Sequence, residues 1–165
     1  MKRLILMRHA KSDWDNHLPD IKRPLSSRGE REAPIMGKFL RSNGVIPELV
    51  ISSPSQRTRE TFGYLKQEIK DRLDVVYDET IYENEPQEIV SLVKKTSDTI
   101  TTLMILGHNP SMEELAQLFS GLSLNKFCDK FSTSSVVLLE FDIEKWSDID
   151  TKKGKLVFYK SPKNL

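Results

Sequence analysis

The chain has one cysteine, Cys128. A single thiol excludes an internal disulfide and any cysteine-rich metal cluster, and it suits a reducing compartment. An excess of charge is missing as well: 25 basic against 24 acidic residues leave a formal net charge of +1. No global field therefore favours nucleic acid or a membrane surface, and any positive charge that matters is local. Long apolar runs are absent too. Leu4 to Met7 gives way at once to Arg8 and His9, too short for a secretory signal core or a membrane span. The cytoplasm is the expected location. Histidines number three, His9, His17 and His108. Their spacings follow no familiar ligand pairing and no acidic ligand is placed with them, so neither a metal nor another cofactor is expected.

What is present is ordinary for a globular protein: 165 residues, 38% hydrophobic and 30% charged, enough for a substantial core. With no repeat, low-complexity tract or linker, a single domain over residues 1–165 is expected. Apolar runs alternate with helical patterns, which points to βαβ units. The expected fold class is α/β: a three-layer α/β/α sandwich around a mostly parallel sheet of about five to six strands with an antiparallel edge. Leu4 to Met7, Leu49 to Ile51 and Thr102 to Leu106 are the clear strands, Asp74 to Tyr77 a weaker one. Val136 to Phe141 and Leu156 to Tyr159 close the chain as an edge hairpin, with Lys152-Lys153-Gly154-Lys155 as its turn.

Helix starts are marked by hydroxyl caps. Ser27 and Glu30 have capping-box spacing, and Ala33, Met36, Gly37 and Leu40 follow on one face, with a kink expected at Pro34 and a stop at Asn43-Gly44. Ser53, Pro54 and Gln56 open a second helix. Ser111 and Glu114 open another. A helix over roughly Gln87 to Lys95 lies between. Residues 11–26 show no period and read as a long loop, a place where function often resides. Trp14 lies in that loop; His17, beside Asp15 and Asn16, reads as solvent-facing. Trp146 and Cys128 read as core residues.

Three strand ends offer side chains that grip anions. Arg8-His9 follows the first strand, Arg57 lies in the first helical turn after the second, and His108 follows Gly107 at the end of the third. Arginine offers a planar fork to two phosphate oxygens. A helix N-terminus already favours anions. Gly107 is expected to allow a sharp backbone turn. Each feature alone reads equally as a surface pair, a solvated arginine or a structural histidine; three at the carboxyl edge of one sheet point to a phosphate site. Glu79, Glu83, Glu85 and Glu88 crowd the segment after the weak strand, and Glu83 is the preferred candidate for a proton donor.

Met7-Arg8-His9-Ala10, Ser52-Ser53-Pro54 with Arg57, and Gly107-His108-Asn109-Pro110 resemble the motifs of the histidine phosphatase superfamily, with its phosphoglycerate-mutase-like fold. The nearer resemblance is to the SixA-type phosphohistidine phosphatases, through Arg8-His9-Ala10-Lys11-Ser12, Arg23-Pro24-Leu25-Ser26 with Arg28-Gly29, and the Gly-His-Asn-Pro turn. The resemblance implies that His9 is a nucleophile that becomes phosphorylated and that Arg8, Arg57 and His108 surround the phosphoryl oxygens. It further implies that Arg23 and Ser12 lie at the phosphate pocket. Ala10 stands where the wider superfamily has glycine, and the general acid has no secure counterpart.

The expected activity is a metal-independent phosphatase acting on phosphohistidine in a partner protein, the enzyme itself a monomer. A small-molecule phosphomonoesterase for sugar phosphates or nucleotides is the alternative, and a non-catalytic phosphate-binding module a second. A mutase is disfavoured, because only a short segment separates Tyr77 from Thr102, too little to enclose a phosphoenzyme.

Overall fold

A computed structural model describes residues 1–15 and 17–165; Asn16 lies outside the described residues. One sheet of six strands runs through the molecule: β1 (Lys2–Arg8), β2 (Leu49–Ser52), β3 (Asp74–Tyr77), β4 (Thr102–Gly107), β5 (Val136–Phe141) and β6 (Lys155–Lys160). Their spatial order is β3-β2-β4-β1-β5-β6. The first four are mutually parallel, β5 is antiparallel to β1, and β6 is antiparallel to β5. The fold is therefore the expected phosphoglycerate-mutase-like α/β architecture with an antiparallel edge.

Successive residues of a strand face opposite sides of the sheet, and the central strands are apolar on both. Ile5, Met7, Val50, Met104 and Leu106 face α1 (Ser27–Ser42) and α2 (Gln56–Ile69), meeting Met36, Leu40, Phe62 and Leu65. Leu4, Leu6, Leu103 and Ile105 face the other way. They pack on α4 (Pro86–Lys94) and α5 (Ser111–Ser120) through Ile89, Val93, Leu115 and Phe119. Trp146 is fully buried in this second layer, its indole N–H donating to the Ile100 carbonyl at 2.8 Å. Cys128 is half-buried at the edge of this layer instead of inside the core.

Helix starts differ in detail from the sequence reading. Ser26, not Ser27, caps α1, accepting from the Gly29 N–H. Ser55, not Ser53, caps α2, accepting from the Thr58 N–H. In both runs several adjacent hydroxyls can cap, and the one with extended backbone does so. The α5 start has no side-chain cap of its own. Asn84 serves it from elsewhere: its Oδ1 accepts from the Ser111 N–H at 3.0 Å and its Nδ2 donates to the Asn109 carbonyl at 2.9 Å. Pro34 is accommodated inside an unbroken α1. The acidic stretch is mostly a short helix, α3 (Glu79–Glu83), ended by Asn84 in the left-handed conformation (φ 66°).

The 11–26 loop is pinned at its base. Ser12 and Leu25 form an isolated antiparallel bridge, the Ser26 N–H donates to the Lys11 carbonyl at 2.9 Å, and Asp20–Lys22 makes a single 3-10 turn. A Cβ at Gly29 would collide with the Lys11 carbonyl oxygen. Glycine there lets the first turn of α1 press against the loop.

Candidate active site

The carboxyl ends of β1, β2 and β4 meet at one cavity of about 240 Å³. Its lining includes Arg8, His9, Arg57 and His108, the four residues expected there, together with Arg23, Ser12 and Trp14. The sheet fixes the strand-end groups: the His9 N–H donates to the Gly107 carbonyl at 3.0 Å, the Arg8 N–H to Ser135 at 3.1 Å and the Ser53 N–H to Leu106 at 3.0 Å. Gly107 is the last residue of β4, paired with Arg8. Its role differs from the expected sharp turn. A Cβ there would lie 2.7 Å from the Ile81 side chain, so glycine makes room for α3 to close over the strand end.

His9 is 6% exposed, and its Nδ1 lies 2.6 Å from the Ala10 carbonyl oxygen. A carbonyl can only accept, so Nδ1 carries the proton and Nε2 keeps its lone pair. Burial, then the nearby His108, Arg57 and Arg8, hold His9 well below the usual histidine range, against the opposing pull of the Ala10 carbonyl. The ring is neutral at physiological pH.

His108 is neutral as well, pushed down to about 3 by burial and by the Arg57 guanidinium. Arg57 Nη2 donates to His108 Nδ1 at 3.3 Å, which assigns the proton to Nε2, 2.8 Å from Ser53 Oγ. Both ring nitrogens are thus engaged, and His108 orients Arg57. Arg8 Nη1 donates to the Phe131 carbonyl at 3.0 Å. The Nε–H groups of Arg8 and Arg57 are buried without a hydrogen-bond partner. Orphaned donors of this kind are costly unless an anion takes them up.

The sequence reading missed Asp20. Its carboxylate accepts from Arg57 Nη2 at 3.1 Å, from Arg23 Nε at 3.2 Å and from the Tyr82 hydroxyl at 2.7 Å; its main-chain carbonyl accepts from Arg57 Nη1 at 2.8 Å. Partial burial pushes Asp20 upward, but the Tyr82 and arginine contacts outweigh it and bring the carboxyl down to about 2. Ser12 Oγ accepts from Arg23 Nη1 at 2.8 Å. Trp14, 68% exposed, stacks on the Arg23 guanidinium 3.5 Å from its ring centroid. The signal for Asp20 was its spacing: Asp20 and Arg23 pair three residues apart across the 3-10 turn. Tyr82 packs edge-on to His108, ring centroids 5.6 Å apart. Glu83, the expected proton donor, is exposed at the end of α3 and is not among the residues lining the cavity. The helix turns Tyr82 inward and Glu83 out.

Two guanidiniums with free Nε–H groups and a neutral imidazole with an open nitrogen gather at the carboxyl edge of a doubly wound α/β sheet, an arrangement whose charge and free donors suit an oxyanion. The chain belongs to the histidine phosphatase superfamily (branch 1), whose family model matches residues 4–99. It is 30% identical over 163 residues to an uncharacterized protein of Mycobacterium tuberculosis, covering 95% of this chain and 100% of the relative. An uncharacterized chloroplastic protein of Arabidopsis thaliana is 34% identical over 165 residues, 93% of this chain and 72% of the relative. Among solved structures, one from Agrobacterium tumefaciens, provisionally assigned as the phosphohistidine phosphatase SixA, superimposes with a TM-score of 0.85 at 26% identity over 98% of both chains. Family and fold together make the protein a phosphatase.

Proposed function

We propose that the protein removes phosphate from phosphohistidine on a partner protein, through a phosphoenzyme formed on His9. His9 Nε2 attacks phosphorus, a new P–N bond forms, and the P–N bond to the substrate imidazole breaks; the departing imidazole takes its proton from solvent. Water then attacks the phosphoenzyme, releasing inorganic phosphate and restoring Nε2. Arg8, Arg57 and His108 surround the phosphoryl oxygens, and Arg23 with Ser12 closes the far wall. Such transfer asks mainly for positioning and charge stabilisation, which the chain's own side chains supply.

One observation carries the choice of substrate. Among the described residues, the carboxylate lining the cavity is that of Asp20, and at about 2 it is ionised at neutral pH. It is no proton donor there. Expelling the alkoxide of a sugar phosphate calls for a strong general acid; an imidazole leaves with little help. The name carried by the Agrobacterium tumefaciens structure agrees with this reading.

The test compares turnover of a phosphohistidine-bearing protein with a panel of sugar phosphates and nucleotides, in the presence of EDTA. A kcat/KM preference of at least a hundredfold for phosphohistidine is expected, about 2.7 kcal/mol in transition-state binding. Equal or better turnover of an alkyl phosphate overturns the proposal.

A further inference from the structure

Among the described residues one opening is larger than the catalytic cavity. A groove of about 590 Å³ lies between residues 125–132 and the end of β6 with the turn after it, Pro162–Asn164. Three lysines, Lys126, Lys130 and Lys163, stand around it, with Asp129 as the acidic residue of the lining. Among the described residues, none of the three lysines is in an ion pair. Set against the Asp129 carboxylate, the three lysines give the lining a local excess of positive charge in a chain of net charge +1. Phe127 and Tyr159 form the floor, their ring centroids 6.1 Å apart, so each ring is already engaged by the other.

The groove adjoins the catalytic cavity. Ser132 lines the groove and Thr133 lines the cavity, and neighbouring residues are only about 3.8 Å apart along the chain. The Phe131 carbonyl just before them is the acceptor for Arg8 and for Asn109 Nδ2. A polypeptide whose phosphorylated side chain enters the cavity can therefore reach the groove with residues close to it in sequence.

We propose that this groove is a docking site for an acidic segment of the protein substrate, next to the phosphorylated residue. The proposal rests on the protein-substrate reading above. The volume falls within the range of about 300–1000 Å³ typical of sites that enclose a ligand, room for a few side chains. Charge at the rim of such a site acts on the encounter rate and on salt dependence more than on the chemistry.

The experiment measures binding of a fluorescein-labelled hexaglutamate peptide by anisotropy, with a hexaglutamine peptide as control and oligouridylate as competitor. The wild-type chain is expected to bind the acidic peptide, more weakly as salt shortens the Debye length below about 10 Å. The triple variant Lys126→Glu, Lys130→Glu, Lys163→Glu is expected to lose at least tenfold in affinity. Its turnover of p-nitrophenyl phosphate should stay at the wild-type level, which also reports that it is folded. No binding by the wild type, equal binding by the variant, or tighter binding of oligouridylate than of the peptide each overturns the groove assignment. A wild-type protein that binds the peptide but leaves phosphohistidine intact overturns only the substrate reading; the opposite pattern overturns only the groove.

Discussion

The strand ends and the loop between Lys11 and Ser26 build the same cavity by different means. Arg8, His9 and Ser53 are set by main-chain bonds to neighbouring strands, anchored in a core exposed by 0% at Leu4, Ile5, Leu103 and Met104. Above the main-chain bonds that pin its base, the loop wall is set by side chains. Asp20 alone ties together Arg23, Arg57 and Tyr82, and it does so half-exposed at the mouth. A group fixed by the sheet cannot shift without disturbing the core; a group fixed through one half-exposed carboxylate can. His9 thus belongs to the rigid half of the site and the loop wall to the adjustable half.

The largest break in this comparison removes the nucleophile. His9→Ala is expected to lower kcat for p-nitrophenyl phosphate at least a thousandfold while leaving the thermal midpoint within a few degrees; retained turnover would sink the phosphoenzyme mechanism. Arg57→Ala removes a donor to developing charge and is expected to cost about 10²–10³ in kcat. Asp20→Asn tests the adjustable half: about a tenfold fall in kcat/KM is expected. The His9 imidazole resonances in an NMR spectrum should stay in place; if they move, the two halves are not mechanically separate.

The smallest effect is on stability against pH. The unfolded chain protonates its histidines near the ordinary value of 6.5, whereas buried His108 resists until about 3 and His9 is held low in the same way. The unfolded state therefore binds more protons in that window, and stability, full above pH 6.5, declines as pH falls towards 3. Asp20 adds to the decline lower down, between its ordinary 3.8 and about 2. Urea midpoints measured from pH 8 to pH 4 should fall, and His108→Asn should flatten the curve. An unchanged slope in that variant would mean that His108 is not held neutral by the fold.

The same division explains what the sequence made legible. Strand ends advertise themselves, because an apolar run that stops at Arg8-His9 or Gly107-His108 can be read from spacing alone. Asp20 and Tyr82 lie in segments without periodicity, and their partnership spans 62 residues of chain, so nothing local marks it. Glu83 was favoured over Glu79, Glu85 and Glu88 for lying nearest the expected end of the strand and loop; one position along a helix decided which side chain faces in. Helix caps were legible only to within a residue or two. At α5 they were not legible at all, since Asn84 supplies the cap from another element. The docking groove was invisible for the same reason: Lys126, Lys130 and Lys163 become neighbours only through the return of β6.

The placement of β1 bears on how the molecule comes to life. The strand that carries Arg8 and leads into His9 precedes both of its neighbours in the chain: they are β4 and β5, with Leu4 opposite Leu103 on one side and Leu139 on the other. A nascent chain therefore holds Arg8 and His9 at the end of an apolar ribbon whose first partner, Thr102–Gly107, and second partner, Val136–Phe141, are made much later. Partners so remote in sequence slow folding and lengthen exposure to aggregation. The same arrangement means that a chain ending before Val136 leaves one side of β1 without its antiparallel partner.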